Sequence, residues 1–135
     1  PLLEITKEIE YHIKDFLPSC LITHFGQDTN IDHRVSFQAS LPAIRPTKGN
    51  NLNLVLSFEV ISSTECNYTE QFRPNFFINI DDEIENKLNA CLKYDKEISK
   101  KNDKRSIENI KALAIFRGSQ SGHNYAEAFQ LIVKR

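Results

Sequence analysis

Residues 52–62, with the sequence LNLVLSFEVIS, carry the strongest strand pattern in the chain. One face of this stretch is wholly apolar and is formed by Leu52, Leu54, Leu56, Phe58 and Val60. A period of two is typical of a β-strand that presents one face to the core. Val55 and Ile61 make the opposite face partly apolar as well. Since strands that are apolar on both faces lie inside sheets, we predict an interior strand here.

A second alternating stretch, at residues 34–41, precedes this strand. Its apolar positions are Val35, Phe37, Ala39 and Leu41. The chain between the two stretches contains two prolines and the turn-forming sequence KGNN at residues 48–51. Because strands joined by short turns pair antiparallel, the pattern favours an antiparallel arrangement of residues 34–41 and 52–62.

The chain after residue 62 predicts a third strand, at residues 71–80, followed by a helix. Pro74 has no amide hydrogen to give to a neighbouring strand, so we expect this strand at an edge of the sheet. Asp81 and Asp82 can accept hydrogen bonds from the free amides of a helix N-terminus. The buried stripe of this helix is predicted to contain Ile84, Leu88, Cys91, Leu92 and Ile98.

Both ends of the chain also predict regular structure. Residues 3–17 place apolar side chains at helical spacing as far as Pro18, which predicts an amphipathic helix. Residues 111–117 and 125–133 predict two strands. The sequence GSQSGHN at residues 118–124 lies between them, and its two glycines suit a wide hairpin loop.

These elements follow one another in the order α-β-β-β-α-β-β. We therefore predict an α+β fold in which a mainly antiparallel sheet of about five strands carries two helices on one face. A chain of 135 residues has the usual size of one domain. Residues 1–135 are accordingly expected to form a single two-layer domain.

The cysteines and the hydropathy of the chain bear on its location. Cys20, Cys66 and Cys91 are an odd number of cysteines at spacings that match no zinc or redox motif, so they predict free thiols. The first twenty residues are too charged for a signal peptide, and no stretch reaches the roughly 18 apolar residues of a membrane helix. We therefore expect an intracellular, cytoplasmic protein without membrane contact.

Charge is distributed unevenly along the chain. Residues 1–90 contain 7 Lys and Arg against 13 Asp and Glu, whereas residues 91–135 contain 10 against 5. Opposite charges on one small domain favour association with a charged protein partner or with a second copy. Because no catalytic motif accompanies this asymmetry, the sequence predicts a non-enzymatic protein-interaction or assembly module, such as an adaptor, chaperone, inhibitor or structural subunit.

The basic C-terminal third is the predicted contact surface. It is expected to consist of Lys100, Lys101, Lys104, Arg105, Arg117, His123 and Tyr125. An alternate contact region is the acidic face led by Glu65, Glu70, Asp81 and Asp82. The basic residues also leave open a nucleic-acid-associated protein, because lysine and arginine side chains contact phosphates.

A small hydrolase or nuclease is the second alternative. It would need a cleft that joins some of His24, Asp32, His33, Glu59 and His123. His24, Asp32 and His33 are also residue types that bind transition metals, but their spacing brings them together on no single helix or strand. The sequence DTNID at residues 28–32 resembles the start of an EF-hand loop but lacks the glycine that follows in such loops. The sequence therefore predicts no catalytic residue, metal, cofactor or small-molecule ligand.

Overall fold

The computed structural model describes residues 2–94, 98 and 103–135. Within these residues the protein is α+β, with helices α1 (Leu2–Phe16), α2 (Ile31–Ala43), α3 (Ile84–Cys91) and α4 (Ile107–Ser121). The strands are β1 (Cys20–His24), β2 (Leu54–Phe58), β3 (Phe76–Asn79) and β4 (Ala126–Lys134), and a short 3-10 helix spans Thr64–Cys66. The strands form a mixed sheet in the order β1-β2-β4-β3, in which β1 and β2 are parallel and β2 and β4 are antiparallel.

The chain divides into two compact units. The first unit contains residues 1–73 and 129–135, and the second contains residues 74–128. Strand β4 therefore begins in the second unit and ends in the first. The expectation that residues 1–135 form one domain stays a prediction.

A β-α-β element is the centre of the first unit. Strands β1 and β2 run parallel, in register from Cys20 opposite Leu54 to His24 opposite Phe58. Parallel neighbours cannot be joined by a tight turn, and α2 provides the crossover that they need. β2 lies between β1 and β4, and its Val55 is only 1% exposed. The prediction of an interior strand at this position is confirmed.

Helix α1 packs against α2 and closes the core of the first unit. That core consists of Ile13, Ala43, Ile44, Leu52 and Val55. The buried hydroxyl of Thr6, on α1, donates a hydrogen bond of 3.2 Å to the carbonyl oxygen of Ala39 on α2. The amphipathic helix predicted at residues 3–17 is confirmed.

The strand predicted at residues 34–41 is wrong, because these residues lie within α2. The side-chain oxygen of Asn30 accepts a hydrogen bond from the Asp32 amide and caps the helix N-terminus. Ala39 and Ala43 are buried and four residues apart, so small side chains at helical spacing form the inner face. Leu41, which the strand pattern placed in the core, is exposed. The antiparallel pairing inferred from this strand is therefore also wrong.

The second unit contains β3, α3, α4 and the first residues of β4. Its core is formed by Ile80, Ile84, Leu88 and Ala114, with Ile107, Ile110 and Tyr125 packed against it. β3 is an edge strand, as Pro74 predicted. The helix expected after Asp82 is α3, but it ends at Cys91, so the stripe predicted to continue to Ile98 is too long, and Leu92 is 55% exposed. The strand predicted at residues 111–117 is wrong, because α4 covers this stretch. Ser106 caps α4 through its hydroxyl, and Gly122 ends it in the left-handed conformation, with φ of 79°.

The observed fold thus keeps the α+β class but changes its details. The described residues contain four strands in a mixed sheet and four α-helices, where the sequence predicted about five antiparallel strands and two helices. The differences have two causes: the irregular apolar patterns of α2 and α4 favour strands, and β1, at Cys20–His24, is not among the five predicted strands. Among the described residues, no helix is both long enough and apolar enough to span a lipid bilayer.

Replacing Gly118 with alanine is expected to destabilise the protein by about 1–3 kcal/mol. A β-carbon at this position would lie only 2.7 Å from backbone atoms of Asn124 and His123, so the backbone would have to move. Alanine is normally favoured over glycine inside a helix by about 1 kcal/mol, so the predicted effect has the opposite sign. Urea denaturation of Gly118→Ala beside Ser119→Ala, an exposed neighbour on α4, measures this difference. A Gly118→Ala protein more stable than the wild type would contradict the packing described for α4.

Candidate functional site

The candidate site lies in the first unit, at the carboxyl ends of the parallel strands β1 and β2. His24 is the last residue of β1, and the loop that follows leads through Asp28 into α2. The chain after β2 forms the 3-10 helix at Thr64. Open sheets with parallel strands bind ligands at this edge, because the loops that follow neighbouring strands converge there.

Asp28 connects the loops that follow the two strands. Its side chain is fully buried, and Oδ2 accepts hydrogen bonds from the Thr64 hydroxyl at 2.5 Å and the Ser63 hydroxyl at 3.2 Å. Its Oδ1 accepts a hydrogen bond of 2.8 Å from the Asn30 amide. The Thr29 hydroxyl also joins the two loops, because it donates a hydrogen bond of 2.7 Å to the Ser63 carbonyl oxygen. A buried carboxylate with this number of donors fixes the geometry of both loops.

Two histidine rings lie beside this carboxylate. His33, in the first turn of α2, stacks on His24 with ring centroids 3.9 Å apart and planes only 6° from parallel. Its Nδ1 lies 3.2 Å from Asp28 Oδ1, although the geometry falls short of a hydrogen bond. The ring of His24 also contacts the ring of Phe58, the last residue of β2, with the ring centroids 4.7 Å apart. Both imidazoles are half-buried, so they are held in place yet reach the surface.

The site favours an ionised Asp28 and a neutral His24. Burial alone would raise the pKa of the Asp28 carboxyl, but hydrogen bonds from Thr64, the Asn30 amide and Ser63, together with His33, outweigh it and lower the pKa. Burial lowers the pKa of His24, and the nearby His33 lowers it further, against the smaller opposing effect of Asp28. The buried Nδ1 of His24 has no hydrogen-bond partner among the described residues. A protonated ring would need an acceptor at that atom.

These shifts predict how stability depends on pH. Because both pKa values are lowered, the folded protein binds fewer protons than the unfolded chain. The free energy of unfolding therefore increases as the pH rises. The contribution of His24 is present above its ordinary pKa of 6.5 and is lost as the pH falls through its lowered pKa. The contribution of Asp28 is lost in the same way below 3.8.

We therefore expect urea denaturation to show a decline in the free energy of unfolding as the pH falls below 6.5, and a second decline below 3.8. His24→Gln should remove the first decline and leave the second. A wild-type unfolding free energy that stays constant between neutral pH and pH 5 would contradict the lowered pKa of His24.

A shallow crevice of about 440 Å³ adjoins Asp28. Arg34 and Tyr68 are among the residues that line it. The Nη1 of Arg34 donates hydrogen bonds to the carbonyl oxygens of Asp28, at 2.6 Å, and of Thr29, at 2.9 Å. The crevice thus offers a guanidinium and an exposed phenol ring to a ligand, and of the candidate-site residues it includes Asp28 but neither His24 nor His33.

The site differs in part from the one that a small enzyme was expected to have. His24 and His33 come together as that alternative required, but the carboxylate beside them is Asp28, whereas Asp32 is exposed on α2. His123 belongs to the second unit. Within the described part of the chain, no group of three or more His, Cys, Asp and Glu side chains is placed to hold a metal ion.

Asp28, Ser63 and Thr64 were absent from the sequence-based candidates. Asp28 had been considered only as the first position of an incomplete EF-hand pattern, and the serine and threonine carried no signal by themselves. Had α2 been recognised as a crossover helix, Asp28 would have been found, because it lies between the carboxyl end of a parallel strand and the following helix.

The residues of the predicted basic contact surface differ in their exposure to solvent. Lys100 and Lys101 lie outside the described residues. Lys104 and His123 are exposed, and Arg105 and Tyr125 are half-buried. Arg117 is only 9% exposed, and its Nη1 donates a hydrogen bond of 2.8 Å to Gln120 Oε1. A contact surface made by this set stays a prediction.

The fold, but not the sequence, has known counterparts. No protein-family model and no curated protein matches the sequence significantly. A conserved protein of Thermus thermophilus is similar in structure with a TM-score of 0.75, 17% identity, and coverage of 98% of this chain and 60% of its own. The N,N'-diacetylchitobiose deacetylase of Pyrococcus horikoshii is similar with a TM-score of 0.74 and 15% identity. The similarity covers 98% of this chain and 53% of the deacetylase. The 4-carboxy-2-hydroxymuconate hydratase of Pseudomonas putida is similar with a TM-score of 0.74 and 19% identity. The similarity covers 98% of this chain and 59% of the hydratase.

These similarities change the interpretation of the chain. It spans between 53% and 60% of the length of the three solved structures. Two of these structures are enzymes, a deacetylase and a hydratase. The prediction of a non-enzymatic protein-interaction or assembly module is therefore wrong, because two of the three solved structures that share this fold are enzymes. The missing catalytic motif misled that prediction, since the site residues come from separate loops that have no recognisable spacing.

Proposed function

We propose that this chain forms the water-activating part of an enzyme that hydrolyses an N-acetyl group on a small polar substrate such as an amino sugar. The observation that carries the proposal is the stacked pair His24 and His33 beside the buried carboxylate of Asp28, at the carboxyl ends of two parallel strands. Histidine is the side chain that most often moves protons in catalysis near neutral pH.

His24 is the general base of the proposed reaction. A base must be unprotonated at the working pH, and the lowered pKa of His24 satisfies this requirement. His33 stacks on it at 3.9 Å, so two positively charged rings would repel each other strongly. The positive charge that His24 acquires when it takes up a proton is stabilised electrostatically by Asp28.

The proposed reaction adds one water molecule across the amide bond. His24 accepts a proton from water as the oxygen attacks the acetyl carbon, and a C–O bond forms. The C–N bond then breaks, and the proton held by the histidine pair passes to the leaving nitrogen. The products are acetic acid and a free amine, and the carboxyl proton then passes to water or to the amine to leave acetate. Atoms and charge therefore balance without any further reactant.

The solved structures with this fold support the choice of chemistry. The deacetylase removes an acetyl group, and the hydratase adds water, so both reactions use water as a reactant. The crevice beside Asp28 is shallow, and Arg34 and Tyr68 in its lining offer a guanidinium and a hydroxyl group to a substrate that carries polar groups. Hydration of an unsaturated carboxylate is the second candidate, because the hydratase shares the fold and Arg34 is suited to bind a carboxylate.

The proposal is tested by incubating the protein with N,N'-diacetylchitobiose and with 4-carboxy-2-hydroxymuconate. Release of acetate together with an equal amount of free amine is the expected result. Loss of the absorbance of the unsaturated acid without acetate release would move the assignment to the hydratase reaction. No turnover of either compound above a protein-free blank would overturn the proposed function.

A further inference from the structure

A separate cavity in the first unit lies away from the histidine pair and shares no residue with it. Its walls are the C-terminal half of α1, the end of α2 and the chain that leads towards β2. Its volume is about 580 Å³, which is within the usual range of small-molecule sites. The position therefore has room for a ligand of moderate size.

The floor of this cavity is apolar. Ile13 and Ala43 form its deepest part and are 5% and 7% exposed. Leu17, at the end of α1, and the prolines Pro42 and Pro46 extend the apolar wall to the surface. Half of the Leu17 side chain remains in contact with water, so a ligand that covered it would remove apolar surface from solvent.

The rim of the cavity carries excess positive charge. Lys14, Arg45 and Lys48 line it together with a single carboxylate, Glu10. Glu10 lies 4.0 Å from Arg45, whose side chain is 74% exposed, so this pair is weak. Within the described residues, neither Lys14 nor Lys48 has an ion-pair partner. Two lysines thus remain available to an anionic group at the mouth of an apolar cavity.

We propose that this cavity binds an amphipathic monoanion, specifically a carboxylate on a medium-length alkyl chain. The carboxylate lies between Lys14 and Lys48, where charge-assisted hydrogen bonds form. The alkyl chain lies on Ile13, Leu17 and Ala43. The site is independent of the proposed reaction at His24.

Isothermal titration calorimetry with decanoate, below its micelle-forming concentration, tests the proposal. We expect saturable binding of one decanoate per chain, and at least about tenfold weaker binding of 1-decanol, which lacks the charge. Octanoate should bind more weakly than decanoate by about fourfold for each methylene removed. Equal affinities for decanoate and 1-decanol, no dependence on chain length, or several equivalents of decanoate per chain would each overturn the proposal.

A pair of double variants separates a specific site from general attraction to a basic protein. Lys14→Gln with Lys48→Gln should weaken decanoate binding by at least about tenfold. Lys7→Gln with Lys93→Gln removes the same net charge at exposed positions outside the cavity and should leave binding unchanged. Circular dichroism of both proteins verifies that they fold. If the two double variants bind decanoate equally well, the cavity is not its site.

Discussion

Replacing Asp28 with asparagine should lower the free energy of unfolding by about 3 kcal/mol. The side chain is fully buried and accepts hydrogen bonds from Thr64, Ser63 and the Asn30 amide. The amide of asparagine has one oxygen and two N–H donors, so at least one of the present donors would face another donor. The attraction between the carboxylate and His33 would be lost as well. Equilibrium denaturation in urea measures the change.

Asp32→Asn is the matched control for this prediction. Asp32 lies four residues further along, in the first turn of α2, but it is exposed. Its replacement should cost no more than about 0.5 kcal/mol, through the weaker interaction with the helix N-terminus. If Asp28→Asn and Asp32→Asn have equal stability, the carboxylate does not join the two loops in the way that the structure shows.

Replacing His24 with glutamine should reduce the rate of acetate release by about 10²–10⁴-fold while the protein stays folded. Glutamine has a similar length and can form hydrogen bonds, but it cannot accept and return a proton near neutral pH. The effect should fall on kcat more than on KM, because the base acts in the transition state. The measurement is the full rate dependence on N,N'-diacetylchitobiose concentration for both proteins.

His12→Gln is the control for the loss of an imidazole. His12 is exposed on α1 and contacts Tyr11, so its replacement should leave kcat and KM unchanged. His33→Gln provides a second comparison. This variant removes the ring that stacks on His24, so the pKa of His24 should rise. The acid limb of the pH–rate profile should then shift to higher pH. A His24→Gln protein with wild-type kcat would exclude His24 as the base.

The sequence predicted those elements whose apolar pattern has a single interpretation. α1, β2, β3, α3 and β4 were each expected where they occur, because their apolar side chains follow one period and have clear end signals. α2 and α4 were mistaken for strands. In α2 the buried positions are small residues such as Ala39 and Ser40, which hydropathy hardly registers, while the larger Leu41 is exposed. The identity of α2 depends on the Asn30 cap and on packing against α1, and neither appears in a pattern of alternation.

The candidate site could be predicted only in part for the same reason. His24 and His33 were considered together from residue type alone, and the structure stacks their rings. Asp28 was not joined to them, because its role depends on Thr64 and Ser63, which are more than thirty residues away in the chain. Contacts of this range follow from the parallel pairing of β1 and β2, and the mistaken strand at residues 34–41 concealed that pairing.

The most direct test of the central claim is turnover of N,N'-diacetylchitobiose by the wild-type protein in water enriched in ¹⁸O, followed by mass spectrometry of the acetate. Water activation at the histidine pair predicts acetate that carries one ¹⁸O atom and accumulates in proportion to protein concentration. Absence of labelled acetate above the protein-free blank would contradict the account.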